Sequence, residues 1–349
     1  MSPSAAFVVP TVDLSGWADG NAAIRSTIAA DLDQGCRTVG FVQIVGHGIR
    51  QDVIDGLAGA LDQLFGLPLE VKRQYTAPRA SINRGYSPPG SERLSYSLGV
   101  DSPVDLFEAF NVGANIDDFP ELDLDPEVYA RNIWPDADLV PDFRSGVDTW
   151  FHHAGALARR LTNVFALALG LPEDYFATFT DHSIDVLRMV NYALPEGTAL
   201  EPDQLGMGAH TDYGIVTVLW ADAVPGLQIL DRQGTWHPVL PAEGALLVNL
   251  GDLLARWSND RWMSTMHRVV APTDAAGRSL RRRSAAFFHD GNAGALISTL
   301  DPCRASDGST PYDDVTVGEH LAQKLAGSRG LELNDHAARE AARITPIDR

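Results

Sequence analysis

GAHTDYGIVTVLWADAVPGLQILDRQGTWHPVLPAEGALLVNL, residues 208–250, alternates short runs of β-branched and aliphatic residues with turn-forming clusters. Ile215 to Trp220, Gly226 to Leu230, Thr235 to Leu240 and Ala245 to Leu250 each have the length and composition of a strand. Asp231-Arg232-Gln233-Gly234 reads as the hairpin turn between two of them. The texture continues outward, to Ile184 to Tyr192 on one side and to His267 to Ala271 and Arg282 to Phe288 on the other. Many short strands at this spacing predict a sandwich or jelly-roll barrel.

The first half of the chain has a different pattern. Phe7 to Leu14 and Thr38 to Val45 are strand-like, while Asn21 to Leu32 has helical period with Ile24, Ile28 and Leu32 on one side. Val53 to Phe65 and the longer Pro141 to Leu169 also predict helices, and Ser81 to Arg93, with two glycines and two prolines, predicts a loop. Pro302 to Pro311 is a polar loop, and Val315 to Ala326 returns to helical spacing. The expected fold is mainly β with α: a double-stranded β-helix (jelly-roll) core, a helical N-terminal lobe and a C-terminal helix. Expected divisions fall at 7–120, 121–182, 183–291 and 292–349.

Composition narrows the partners. The 349 residues carry 27 Lys+Arg against 46 Asp+Glu, a formal charge of −19. Such a surface repels phosphate backbones and anionic lipid, so neither nucleic acid nor a membrane is an expected partner. No apolar run reaches the roughly 18 residues of a spanning helix. Met1 to Pro10 has neither the basic start nor the apolar run of a signal peptide. Two cysteines, Cys36 and Cys303, cannot make a disulfide framework. A reducing, cytoplasmic location is the expectation.

His210-Thr211-Asp212 is the first element with chemical content. On an extended strand residues i and i+2 share a face, so an imidazole and a carboxylate can reach one ion. With 10 histidines and 46 acidic residues, chance supplies about one such pattern, and a surface turn accounts for the spacing equally well. His267 opens an apolar strand 57 residues on and is the third candidate. Two imidazoles and a carboxylate form the facial set that binds non-haem Fe(II) and leaves positions open; taken singly, His267 also reads as an ordinary core or surface histidine. Arg282 and Ser284 share one strand face, and a guanidinium with a nearby hydroxyl can grip a carboxylate. A solvated basic run over 281–283 is the competing reading.

Taken together, these segments resemble the iron- and 2-oxoglutarate-dependent dioxygenases of the isopenicillin N synthase-like group. The matching stretches are LRMVNY (187–192), GAHTDYG (208–214), PGLQI (225–229), GALLVNLGDLLARWSND (244–260), HRVV (267–270) and RRRSAAFF (281–288). VPTVDLSG (9–16) and GFVQIVGHGI (40–49) are similar to the group's N-terminal region. The chain departs from the pattern at Ala193-Leu194-Pro195 and at Gly291-Asn292.

The resemblance implies that His210, Asp212 and His267 hold Fe(II). It implies that Arg282 and Ser284 bind the distal carboxylate of 2-oxoglutarate, with Tyr192 reaching the same cosubstrate; Tyr192 as plain core aromatic is the alternative. It also implies an oxidoreductase using O2. Such an enzyme couples oxidative decarboxylation of 2-oxoglutarate to hydroxylation, desaturation or cyclisation of a small molecule, in specialised metabolism, or to fragmentation of the cosubstrate itself. No catalytic group beyond the metal ligands is needed. Asn249 and Asp252 are candidates for orienting a ligand, with a β-turn role as the alternative. Arg84, Tyr86 and Phe107 are the candidate substrate contacts. Two other readings stand beside this one: an iron oxidase on the same fold that does without 2-oxoglutarate, and a non-catalytic cupin-like metal-binding protein. Substrate identity and oligomeric state stay open.

Overall fold

The chain is described here by a computed structural model covering residues 7–194, 201, 203–274, 278–334 and 337. Pro195, one of the departures from the family pattern, lies outside these residues. The strands in chain order are β1 (Thr11–Asp13), β2 (Phe41–Val45), β3 (Gly85–Ser87), β4 (Glu108–Gly113), β5 (Val186–Tyr192), β6 (Met207–His210) and β7 (Val216–Ala221). They continue as β8 (Leu227–Leu230), β9 (Trp236–Pro238), β10 (Leu246–Leu250), β11 (His267–Val269), β12 (Arg282–His289), β13 (Leu296–Ile297) and β14 (Val315–Thr316). The helices are α1 (Ala22–Thr38), α2 (Gln51–Phe65), α3 (Leu69–Lys72), α4 (Phe143–Ala168), α5 (Ala177–Thr180), α6 (Asp252–Trp257) and α7 (Val317–Ser328).

One sheet has eight strands in the order β1-β2-β10-β7-β12-β5-β4-β3, and a second has four in the order β6-β11-β8-β9. β1 and β2 run parallel; their neighbours in both sheets pair antiparallel. This is the double-stranded β-helix core, as two separate sheets rather than a closed barrel among the described residues.

Strand parity explains how the core and the cavity are both built. Leu187 and Met189 of β5, Val216 and Val218 of β7, Val248 of β10, and Ala285 and Phe287 of β12 pack into one apolar cluster with Leu157, Leu161 and Phe165 of α4. The alternate residues Arg188, Val190 and Tyr192 of β5, Thr217 and Leu219 of β7, and Arg282, Ser284, Ala286 and Phe288 of β12 line a cavity instead. Both faces of these strands are therefore covered, which is why β5 is buried along its whole length and carries no simple polar–apolar alternation.

Several elements differ from expectation for local reasons. α1 runs on to Thr38 because Gly35 and Cys36 extend the buried stripe of Ile28 and Leu32, whereas Ile24 is exposed. Gly40, with φ of 72°, then reverses the chain into β2. The expected loop at 81–93 contains β3, which pairs with β4 after Gly85 (φ 74°) turns the backbone. α7 begins at Val317 because Thr316 and Glu319 close a reciprocal capping box.

Candidate metal centre and cosubstrate cavity

β6 ends at His210 and β11 begins at His267, and the two residues are direct partners across the ladder. Their imidazole centroids lie 4.3 Å apart. Asp212 lies two residues beyond β6, so strand alternation does not place it. Its carbonyl accepts from the Asp252 backbone N–H at 2.8 Å. Its Oδ2 accepts from Thr217 Oγ1 at 2.5 Å and from Asn249 Nδ2 at 2.6 Å. Oδ1 is left facing the histidines, 3.9 Å from His210 Nε2 and 3.7 Å from His267 Nε2. One ligand atom from each of the three residues falls within 4.8 Å of the other two.

The tautomers are set by the backbone. His210 Nδ1 lies 2.8 Å from the Gly208 carbonyl and His267 Nδ1 3.1 Å from the Thr265 carbonyl. A carbonyl only accepts, so each Nδ1 carries the proton and each Nε2 presents a lone pair. Burial and the adjacent His267 ring hold the His210 imidazole below the usual histidine range, in its neutral, ligating form. The donor set is thus two nitrogens and one carboxylate oxygen with no thiolate, which suits Fe(II) with free positions.

Asn249, on β10, touches the Asp212 carboxylate directly. Asp252, the first residue of α6, acts at one remove. Its carboxylate receives Thr211 Oγ1 at 3.2 Å and pairs with Lys324 Nζ at 2.9 Å and His320 Nε2 at 3.5 Å, both on α7. Burial raises the Asp252 pKa, but the Lys324 and His320 charges more than offset it and hold the group well below the carboxylate range. Thr217 was not anticipated; its place one face-repeat before Leu219 is legible only once Asp212 is known to sit opposite.

The space between the sheets is a cavity of about 120 Å³ whose wall includes all three residues. Arg282 and Ser284 are on that wall, and Tyr192 is the ladder partner of Arg282. The Arg282 guanidinium stands over the Tyr192 ring at 5.3 Å. Its Nε and Nη1 are buried with no hydrogen-bond partner. Unpaired buried donors on a cation are costly, and an anionic ligand relieves them. Burial pushes the Tyr192 phenol up to about 12, so it stays a neutral donor. A larger surface cleft of about 650 Å³, walled by Asp117, Arg131 and Asp148, shares none of these residues.

The three expected substrate contacts do not line the cavity. Arg84 spends its guanidinium on the carbonyls of Ala130, Asn83 and Ala114 at 3.1, 2.8 and 2.6 Å. Tyr86 donates to Glu108. Phe107 packs edge-on against Tyr192 and beneath the Arg188 guanidinium. Asn83, Glu92, Arg188 and Arg329 take their place on the wall. Arg188 was legible, since it shares a strand face with Tyr192; Asn83, Glu92 and Arg329 lie in segments with no period to read.

Residues 9–137 match the family described as the non-haem dioxygenase in morphine synthesis N-terminal, and residues 184–291 match the 2OG-Fe(II) oxygenase superfamily. The 2-oxoglutarate-Fe(II) type oxidoreductase hxnY of Emericella nidulans is 32% identical over 95% of this chain and 92% of its own. The chain belongs to the 2-oxoglutarate- and Fe(II)-dependent oxygenases. Homoarginine-6-hydroxylase of Oryza sativa subsp. japonica, another relative of this oxygenase, is 32% identical over 84% of this chain and 87% of its own. A Neurospora crassa protein crystallised with alpha-KG and thymine superposes with a TM-score of 0.80 at 29% identity, over 93% of this chain and 98% of that one. This oxygenase uses Fe(II), 2-oxoglutarate and O2 to oxidise a small molecule. Among its described residues no helix is long and apolar enough to cross a membrane.

Proposed function

We propose that His210, Asp212 and His267 hold the iron, and that Arg282 and Ser284 receive the distal carboxylate of 2-oxoglutarate with Tyr192 beside them. The observation that carries this is the pair of unpartnered buried nitrogens on Arg282, on the same cavity wall as the convergent lone pairs of the triad. When bound, iron with 2-oxoglutarate supplies the oxidising chemistry. The residues do the rest. Thr217 and Asn249 keep one Asp212 oxygen turned away, so the carboxylate binds through the other. Gly208 and Thr265 hold both imidazoles as Nε2 ligands. The apolar walls Leu219, Leu227 and Val269 exclude water from the reacting space. In the same reading the chain divides at 7–120, 121–182, 183–291 and 292–349. The free thiols of Cys36 and Cys303 support a cytoplasmic location.

The test is succinate formation. Protein reconstituted anaerobically with Fe(II) and then given O2 and 2-oxoglutarate is expected to release succinate. Arg282→Ala should raise the 2-oxoglutarate concentration required by about ten-fold or more, the worth of one charge-assisted contact. An unchanged requirement removes Arg282 from the cosubstrate site. Oxygen uptake without succinate points to an oxidase on the same fold.

A further inference from the structure

The far end of β5 carries a second cationic group. Tyr192 pairs with Arg282 and Arg188 with Ala286, so Arg188 starts roughly 13 Å along the strand from the cosubstrate end. Arg188 Nη2 donates to Glu92 Oε2 at 2.8 Å, and Arg329 Nε lies 3.7 Å from Glu92 Oε1. All three side chains are nearly inaccessible to water. Burial pushes the Glu92 carboxyl up, but the two guanidiniums outweigh it and keep the group ionised. Two cations thus share the Glu92 carboxylate; the other carboxyl that senses the Arg188 charge, Asp105, is pushed by burial up to about 7 and accepts from the Leu94 and Gly208 backbone N–H groups instead. Asp290 is also on the cavity wall, where burial and the nearby Asp185 and Asp212 charges push its carboxyl up.

Asn83 completes this end of the wall. Its Oδ1 accepts from both Arg329 Nη1 at 2.7 Å and Asn111 Nδ2 at 2.6 Å. Its Nδ2 has no acceptor among the described residues. Phe288 of β12 and Leu321 and Leu325 of α7 line the same cavity with apolar surface.

This inference rests on the iron and cosubstrate reading above. In that reading the ion is balanced by Asp212 and the 1-carboxylate of 2-oxoglutarate, and Arg282 by its 5-carboxylate. The surplus at Arg188 is then unmatched. We infer that the oxidised substrate is a small organic carboxylate, held through its oxygens by Arg188 and Asn83 Nδ2, with its apolar body against Phe288, Leu321 and Leu325. A neutral substrate leaves the surplus charge buried without a partner.

The test uses acid–amide pairs of one shape: benzoate and benzamide, phenylacetate and phenylacetamide, cyclohexanecarboxylate and its amide. Each is titrated calorimetrically into the full chain loaded with Zn(II), which prevents turnover, and saturated with 2-oxoglutarate. At least one acid should bind about ten-fold or more tightly than its amide. Arg188→Gln leaves Glu92 balanced by Arg329 alone, and should bring that ratio close to one without altering 2-oxoglutarate affinity. Asn83→Ala, on a half-buried loop residue, should weaken the acid and leave the amide little changed. If no acid outbinds its amide while 2-oxoglutarate binds normally, the carboxylate assignment is overturned and the proposed function stands. If 2-oxoglutarate itself fails to bind, the underlying reading falls and takes this inference with it.

Discussion

Asp212 offers a single oxygen to the imidazole pair because Thr217 and Asn249 occupy the other. Removing one of these donors frees the carboxylate to rotate and leaves it with one restraint. Asn249→Ala should weaken Fe(II) binding by roughly 10–100-fold while both imidazoles keep their orientation. Competition titration with a metal indicator checks this; unaltered affinity would mean the Asn249 contact aims nothing. The three candidate ligands are implied by the resemblance of their flanking segments, whereas the means of aiming them is not legible in the sequence. His-x-Asp implies a shared strand face, yet the strand stops at His210 and a turn tied to Asp252 delivers the carboxylate. The expected contact Arg84 lies one position from Asn83, the residue that lines the cavity. Arg84 is pinned to carbonyls while Asn83 faces the cavity, and a loop has no periodicity from which to tell the two apart.

Among elements, α7 is fastened to the loop that carries Asp212 by Asp252, whose backbone N–H holds the Asp212 carbonyl and whose carboxylate pairs with Lys324. Asp252→Asn breaks a buried pair and should cost about 3–5 kcal/mol at neutral pH, read by denaturant unfolding. The Asp252 pKa is depressed in the fold, so its contribution is complete above the unfolded carboxylate pKa of about 4 and is lost as pH falls below that. The gap between parent and variant should therefore narrow in acid; a gap constant across that range would place the loss elsewhere. α6 itself escaped the sequence because five of its six residues are buried, leaving no amphipathic stripe. The strands flanking the site were legible from composition, since β-branched runs bounded by turn residues persist even where both faces are covered.

At the scale of the molecule, the eight-stranded sheet draws on widely separated parts of the chain. β1 and β2 from the first 45 residues close one side against β10, and β4 and β3 close the other against β5. Arg261 and the Trp262 indole both reach Asp33 on α1, at 3.1 and 2.7 Å, adding a tether between the N-terminal helices and the β11 side of the core. The N-terminal elements and the jelly roll should consequently unfold in one transition. Calorimetry showing two well-separated transitions would mean the sheet edges are dispensable.

In the proposed site one iron ion sits among His210 Nε2, Asp212 Oδ1 and His267 Nε2 and keeps room for further ligands. Anomalous diffraction at the iron edge, from crystals grown and soaked with Fe(II) and 2-oxoglutarate without oxygen, tests it directly. A single strong peak bonded to those three atoms is expected, with the cosubstrate reaching from it to Arg282. A peak bonded through either Nδ1, or lying away from the triad, would contradict it.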